Sequence, residues 1–129
     1  MKEEAEENSV KALIIAAHGS RKNESNMEIA SLADRLSKKA TGSFEAVEYA
    51  FLQFAEPLLE NKIDELAQKG IKKIVIFPFF IAAGSHIRVD IPEVVKKAKA
   101  AHGDIEFSVT DHLGKIQAVE EIILREVMG

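Results

Sequence analysis

The sequence predicts an α/β fold: a single-domain, doubly wound parallel sheet of about four strands flanked by helices. Three observations predict it. Short apolar runs of strand length recur along the chain, and each is followed by a segment whose apolar residues repeat at helical spacing. The connections between them are short, as in right-handed crossovers between parallel neighbours. The length of 129 residues suits one such domain and is short for two.

The first strand is read in Lys11-Ala-Leu-Ile-Ile-Ala-Ala17, a continuous apolar run of the kind buried on both faces of a parallel sheet, ending at His18-Gly19-Ser20. From Glu24 to Ala40, Ile29, Ala33, Leu36 and Ala40 share a helical face, and Gly42 stops the helix. Phe44 to Leu52 reads as the second strand. Pro57 is placed in the first turn of the next helix, whose Leu59, Ile63, Leu66 and Ala67 face inward before Gly70. Lys73-Ile-Val-Ile-Phe77 is the third strand and the strongest apolar run. After a loop from Pro78 to Arg88, Asp90-Ile-Pro-Glu93 reads as an acidic N-cap with a glutamate three residues on. A last strand falls near Glu106 to Val109, and a helix from Lys115 to Met128 sets Ile116, Val119, Ile123 and Val127 on one face. Residues 1–9 read as an acidic flexible tail and 10–129 as the domain.

Composition narrows the function classes. With 47% hydrophobic and 29% charged residues there is material for a core. With no cysteine, the chain has no disulfide, thiolate ligand or cysteine nucleophile. The net charge of −4 is concentrated in Glu3, Glu4, Glu6 and Glu7, and the basic surplus needed to displace counterions from nucleic acid is missing. No apolar run approaches the roughly 18 residues of a membrane span, and the first ten residues are too polar for a signal peptide. The expectation is a cytoplasmic protein without nucleic-acid or membrane partners.

Ligands of a doubly wound sheet gather at the carboxyl ends of its strands. His18 follows the first strand and His86 lies in the loop after the third, and these two strands commonly flank the topological switch point. Neutral imidazole binds Co²⁺, Ni²⁺, Fe²⁺ and Zn²⁺, and its ordinary pKa of about 6.5 lets it take a proton near neutral pH. A lone loop histidine more often serves in hydrogen bonding, but two at one edge favour a site. His102 ends a helix, where an imidazolium is structurally favourable. His112 also reaches the functional edge, without a partner in its motif. Gly19-Ser20-Arg21 could cradle an anion, yet it lacks the spacing of a dinucleotide fingerprint or P-loop. Glu56 either caps its helix or faces the site, and Phe77, Phe79 and Phe80 read as core before pocket wall.

Three motifs together resemble a known family: Ala17-His18-Gly19-Ser20-Arg21, Phe54-Ala55-Glu56-Pro57, and Pro78-Phe-Phe-Ile-Ala-Ala-Gly-Ser-His86 running on to Asp90-Ile91-Pro92. From Val10 onward the chain resembles the small, single-domain sirohydrochlorin cobaltochelatases, which are class II chelatases. The resemblance implies ATP-independent insertion of Co²⁺, or in relatives Ni²⁺ or Fe²⁺, into a sirohydrochlorin-type tetrapyrrole in cobalamin-type biosynthesis. The metal is then a substrate, and no cofactor is permanently bound. It implies His18 as proton acceptor and metal ligand, His86 as the second metal ligand, and Glu56, Ile81, Ala82, Ala83, Gly84, Ser85 and His86 as tetrapyrrole contacts. A homodimer is implied too, because single-domain members resemble half of longer two-domain chelatases. Gln53 stands where relatives often carry glutamate, and Leu113-Gly114-Lys115 lacks a histidine that often follows, which bears on metal preference.

On this reading the imidazoles converge over a cavity that admits a flat macrocycle, with Arg21, Lys22 and Arg88 available to its carboxylates. Two other classes compete. A metal or tetrapyrrole carrier would keep the pocket without turnover. A histidine-nucleophile phosphatase would need an arginine beside the histidine, where Ala17 stands.

Overall fold

A computed structural model describes residues 10–129; the acidic segment 1–9 lies outside the described residues. Four strands, β1 (Lys11–Ala17), β2 (Ala46–Phe51), β3 (Lys73–Pro78) and β4 (Glu106–Val109), form one parallel sheet in the order β2-β1-β3-β4. Four helices alternate with them: α1 (Asn23–Lys39), α2 (Leu59–Gln68), α3 (Ile91–Ala101) and α4 (Ala118–Met128). A π turn, His86–Asp90, runs directly into α3, and a 3-10 turn, Leu113–Lys115, precedes α4. The doubly wound sheet is therefore as expected, and β1 and β3 are neighbours at the switch point.

Strand parity divides the core. Ala12, Ile14 and Ala16 of β1 and Ile74 and Ile76 of β3 point to one face, where they are fully buried with Leu59, Ile63 and Leu66 of α2 and Ile91, Val95 and Ala98 of α3. Lys62 of α2 is buried beside them, donating to Glu65 at 2.5 Å and to Glu48 at 3.0 Å. Burial alone would lower the Lys62 pKa, but the two carboxylates outweigh it and raise the ammonium above its ordinary value. The same ion pair holds Glu65 below the usual carboxylate range.

The opposite face is covered less completely. Leu13, Ile15, Phe77 and Phe79 meet Leu32 and Leu36 of α1 and Leu113 around a groove of about 310 Å³ whose lining is apolar. Helix α4 does not close it: none of its residues is buried, it packs against the 3-10 turn, and Ile122, Ile123, Leu124, Val127 and Met128 are exposed.

Three predicted helix starts differ, the last being α4, which begins at Ala118 and not at Lys115 because Leu113–Lys115 form the 3-10 turn. Pro57 precedes α2, which begins at Leu59 after a cis Glu56–Pro57 bond. Asp90 is not an N-cap: its backbone is already helical (φ −66°, ψ −47°) and its side chain makes no capping bond. The helix continues backwards through the π turn, so no free N–H ladder starts at Asp90 for the carboxylate to cap.

Candidate functional site

The parallel register brings the ends of three strands level: Ala17 of β1 pairs with Phe51 of β2, and Ala16 with Pro78 of β3. The pairing continues past the strands. Leu52 N–H donates to the Ala17 carbonyl at 3.0 Å, Gln53 N–H to His18 at 3.2 Å, and Phe79 N–H to Ala16 at 2.8 Å. The turn after β1, the segment 52–57 and the loop 79–86 therefore share one edge.

His18 and His86 meet there. Their ring centroids are 4.3 Å apart and their planes stand at 89°. His18 is delivered by a tight turn. Gly19 has φ +93°, and a Cβ on it would lie 1.8 Å from the Gln53 carbonyl oxygen, so only glycine fits where the two segments touch. Asn26 of α1 clasps the turn, accepting from Ser20 N–H at 3.0 Å and donating to the Ser20 carbonyl at 2.7 Å. Lys22 N–H donates to Ser20 Oγ. The Ser20 and Lys22 amides are thus engaged within the turn.

The ring nitrogens are defined by their neighbours. His18 Nδ1 lies 3.0 Å from the Gly19 carbonyl, which can only accept, so Nδ1 donates and, in the neutral ring, Nε2 carries the lone pair. The Gln53 amide donates to that Nε2 at 3.3 Å. His86 Nδ1 lies 2.6 Å from Asp90 Oδ2. Phe80 stacks near His86 at 6.3 Å and 25°.

Phe54 adds an exposed aromatic surface. It is held at φ +66°, a strained backbone for a side chain of this size, with its ring 6.4 Å from His18 and the Arg21 guanidinium 4.6 Å over its face. Ile81, Ala82, Ala83, Gly84 and Ser85 are exposed beside the histidines, and Glu56 is exposed on the 52–57 segment. The described residues around the pair form an exposed surface, with Ile81 to Ser85 on one side and Phe54 and Glu56 on the 52–57 segment. A groove of about 380 Å³ lies further along, lined by Pro78, Ile87, Ile91, Val95 and Val109. His102 ends α3 and pairs with Asp64 at 2.8 Å, the structural role expected of it. His112 precedes the 3-10 turn. Phe77, Phe79 and Phe80 are half-buried, Phe80 against the core and the site at once.

Sequence reasoning missed three contributors. Asp90 was read as a cap, although its distance of four residues from His86 is the spacing at which helical side chains meet. Asn26 carried no signal beyond being a polar residue early in a helix. Phe54 stands out in the sequence only as part of a motif, since its backbone conformation has no sequence signature.

Comparison with known proteins agrees with this architecture. The CbiX family model matches residues 12–128. The sirohydrochlorin cobaltochelatase of Saccharolobus solfataricus is 32% identical over 89% of this chain and 91% of its own length. The chloroplastic sirohydrochlorin ferrochelatase of Arabidopsis thaliana is 32% identical over 86% of this chain, which spans 48% of that longer protein. The crystal structure of the sirohydrochlorin chelatase SirB from Bacillus subtilis subspecies spizizenii, in complex with cobalt, shares the fold with a TM-score of 0.78, at 22% identity over 92% of this chain and 50% of SirB. A family match across nearly all of the described residues, and a relative aligned over nine-tenths of its own length, place this chain in the CbiX family, as its resemblance to the small class II chelatases implied.

Proposed function

We propose that the protein inserts a divalent metal, Co²⁺ first among the candidates, into sirohydrochlorin. The observation that carries this reading is the approach of His18 and His86 to 4.3 Å at the carboxyl edge of the sheet. Insertion removes two pyrrole N–H protons and brings in one M²⁺. Two imidazoles hold a borderline ion through Nε2 while leaving coordination positions for the ring nitrogens. As the ion passes to the macrocycle, His18 Nε2 is released and takes one proton, and the other leaves to solvent at this exposed edge. No nucleotide is consumed in this scheme.

The flat substrate lies on the shelf formed by Ile81 to Ser85, with Glu56 and the Phe54 ring on the opposite segment. Arg21, resting on Phe54, and Arg88 reach its peripheral carboxylates. A homodimer supplies what the shelf lacks. Two features support it: the chain spans half of SirB, and it exposes both an apolar sheet groove and the apolar face of α4. A second copy covers these surfaces, and light scattering should give twice the chain mass of 14.2 kDa.

The test is the rate of metal insertion, followed by visible absorption with sirohydrochlorin and each of Co²⁺, Ni²⁺ and Fe²⁺. His18→Ala and His86→Ala should each lower the Co²⁺ rate by about 10²–10⁴-fold with the fold retained. Full turnover in both variants would remove this mechanism. Binding without acceleration over the protein-free rate would make the protein a metal or tetrapyrrole carrier. The fastest metal in the panel identifies the preferred one, for which both cobalto- and ferrochelatase relatives exist.

A further inference from the structure

We infer that Asp90 is a positioning residue for metal transfer: its carboxylate selects the tautomer of His86 and fixes the ring, leaving Nε2 as the nitrogen for the metal. The inference rests on the metal-holding role proposed for His86 and adds a residue to that machinery.

Four observations lead to it. His86 Nδ1 and Asp90 Oδ2 are 2.6 Å apart, a short, charge-assisted distance, with the two side chains 24% and 45% exposed. An ionised carboxylate only accepts, so Nδ1 must donate, and in the neutral imidazole this leaves Nε2 as the lone-pair nitrogen. Backbone geometry makes the contact possible. Ile87 and Arg88 N–H both donate to the Gly84 carbonyl, at 3.1 and 3.0 Å, which starts the helical winding, and Ile91 N–H donates five residues back to the His86 carbonyl, the bond that makes residues 86–90 a π turn and brings position 90 next to position 86. Asp90 makes no capping bond, so its carboxylate is available to the ring. Finally, Phe80 lies along the ring plane and His18 stands edge-on to it, which leaves the imidazole little freedom to turn.

The two histidines thereby reach the same state by different routes. A backbone carbonyl holds Nδ1–H of His18, and a side chain holds that of His86. Metal-ligating histidines are commonly oriented by such a partner, and losing it costs about 10–100-fold in metal affinity.

The experiment uses the full chain, Co²⁺ alone as probe, and the substitutions Asp90→Ala, Asp90→Asn, Asp90→Glu and His86→Ala. Long-range proton–nitrogen NMR of the imidazoles should show the Nδ1–H tautomer of His86 in the parent. It should show a mixture in Asp90→Ala, and also in Asp90→Asn, whose amide can offer its own N–H to Nδ1. Visible titration should show Co²⁺ binding weakened about 10–100-fold in both. Asp90→Glu should recover part of the loss, and Asp90→Ala should cost nothing further in a His86→Ala background. Unchanged tautomer and affinity in Asp90→Ala and Asp90→Asn, with His86→Ala still impaired, would overturn the role of Asp90 alone. Parental Co²⁺ affinity in His86→Ala would overturn the metal-holding reading beneath it. Circular dichroism separates either result from unfolding, and the isosteric Asp90→Asn keeps the test open if Asp90→Ala is damaged.

Discussion

The turn after β1 and the loop after β3 deliver one histidine each to the same edge, and they do so by opposite means. The first is three residues of close-packed backbone whose geometry depends on a glycine and on an asparagine clasp. The second is a long exposed loop, and its histidine is placed by side chains, a carboxylate below and an aromatic ring alongside. One histidine of the pair is thus fixed through backbone contacts and the other through side-chain contacts.

Gly19→Ala is the sharpest way to break the contrast. The new methyl would collide with the Gln53 carbonyl at 1.8 Å in a backbone conformation that alanine resists. We expect about 3 kcal/mol of destabilisation by denaturant unfolding, together with loss of metal insertion. Next comes Gly114→Ala. Gly114 underlies the second loop, donating its N–H to the Phe80 carbonyl at 2.9 Å, and a Cβ there would lie 1.6 Å from the Ile81 carbonyl. The strain should cost about 2 kcal/mol and displace the loop rather than the His18 turn. The histidine NMR signals should report this: His86 moves and His18 does not. Asn26→Ala removes both clasps on Ser20 and should cost about 1 kcal/mol, with the shift confined to His18.

The same contrast explains what was legible in the sequence. The strands were readable because a parallel sheet buries both faces and writes continuous apolar runs: β1 and β4 lie where the pattern placed them, and β3 is longer by one residue. Their adjacency then brought His18 and His86 together. Asp90 was misread because Asp-Ile-Pro-Glu carries every mark of a helix start, and a π turn continuing through it has no comparable mark. The apolar spacing of the last helix puts Ile123 and Val127 on one face, and both are exposed. Periodicity identifies an apolar face without saying which chain covers it. The cis bond before Pro57 and the left-handed Phe54 are not encoded in single-residue propensities.

Gly84→Ala has the smallest expected effect on the fold and separates two reasons for a glycine in a site motif. Nothing lies within 4 Å of where its Cβ would stand, and its φ is outside the left-handed region, so the folded chain alone places no demand on it. Stability should change by no more than about 0.5 kcal/mol in urea. If the shelf from Ile81 to Ser85 receives the macrocycle, a methyl at this exposed point would meet the substrate, and KM for sirohydrochlorin should rise with the fold intact and Co²⁺ affinity unaltered. Unchanged KM would move the macrocycle off this loop and toward Phe54. A fall in Co²⁺ affinity would instead tie Gly84 to the π turn through its carbonyl, which accepts from both Ile87 and Arg88.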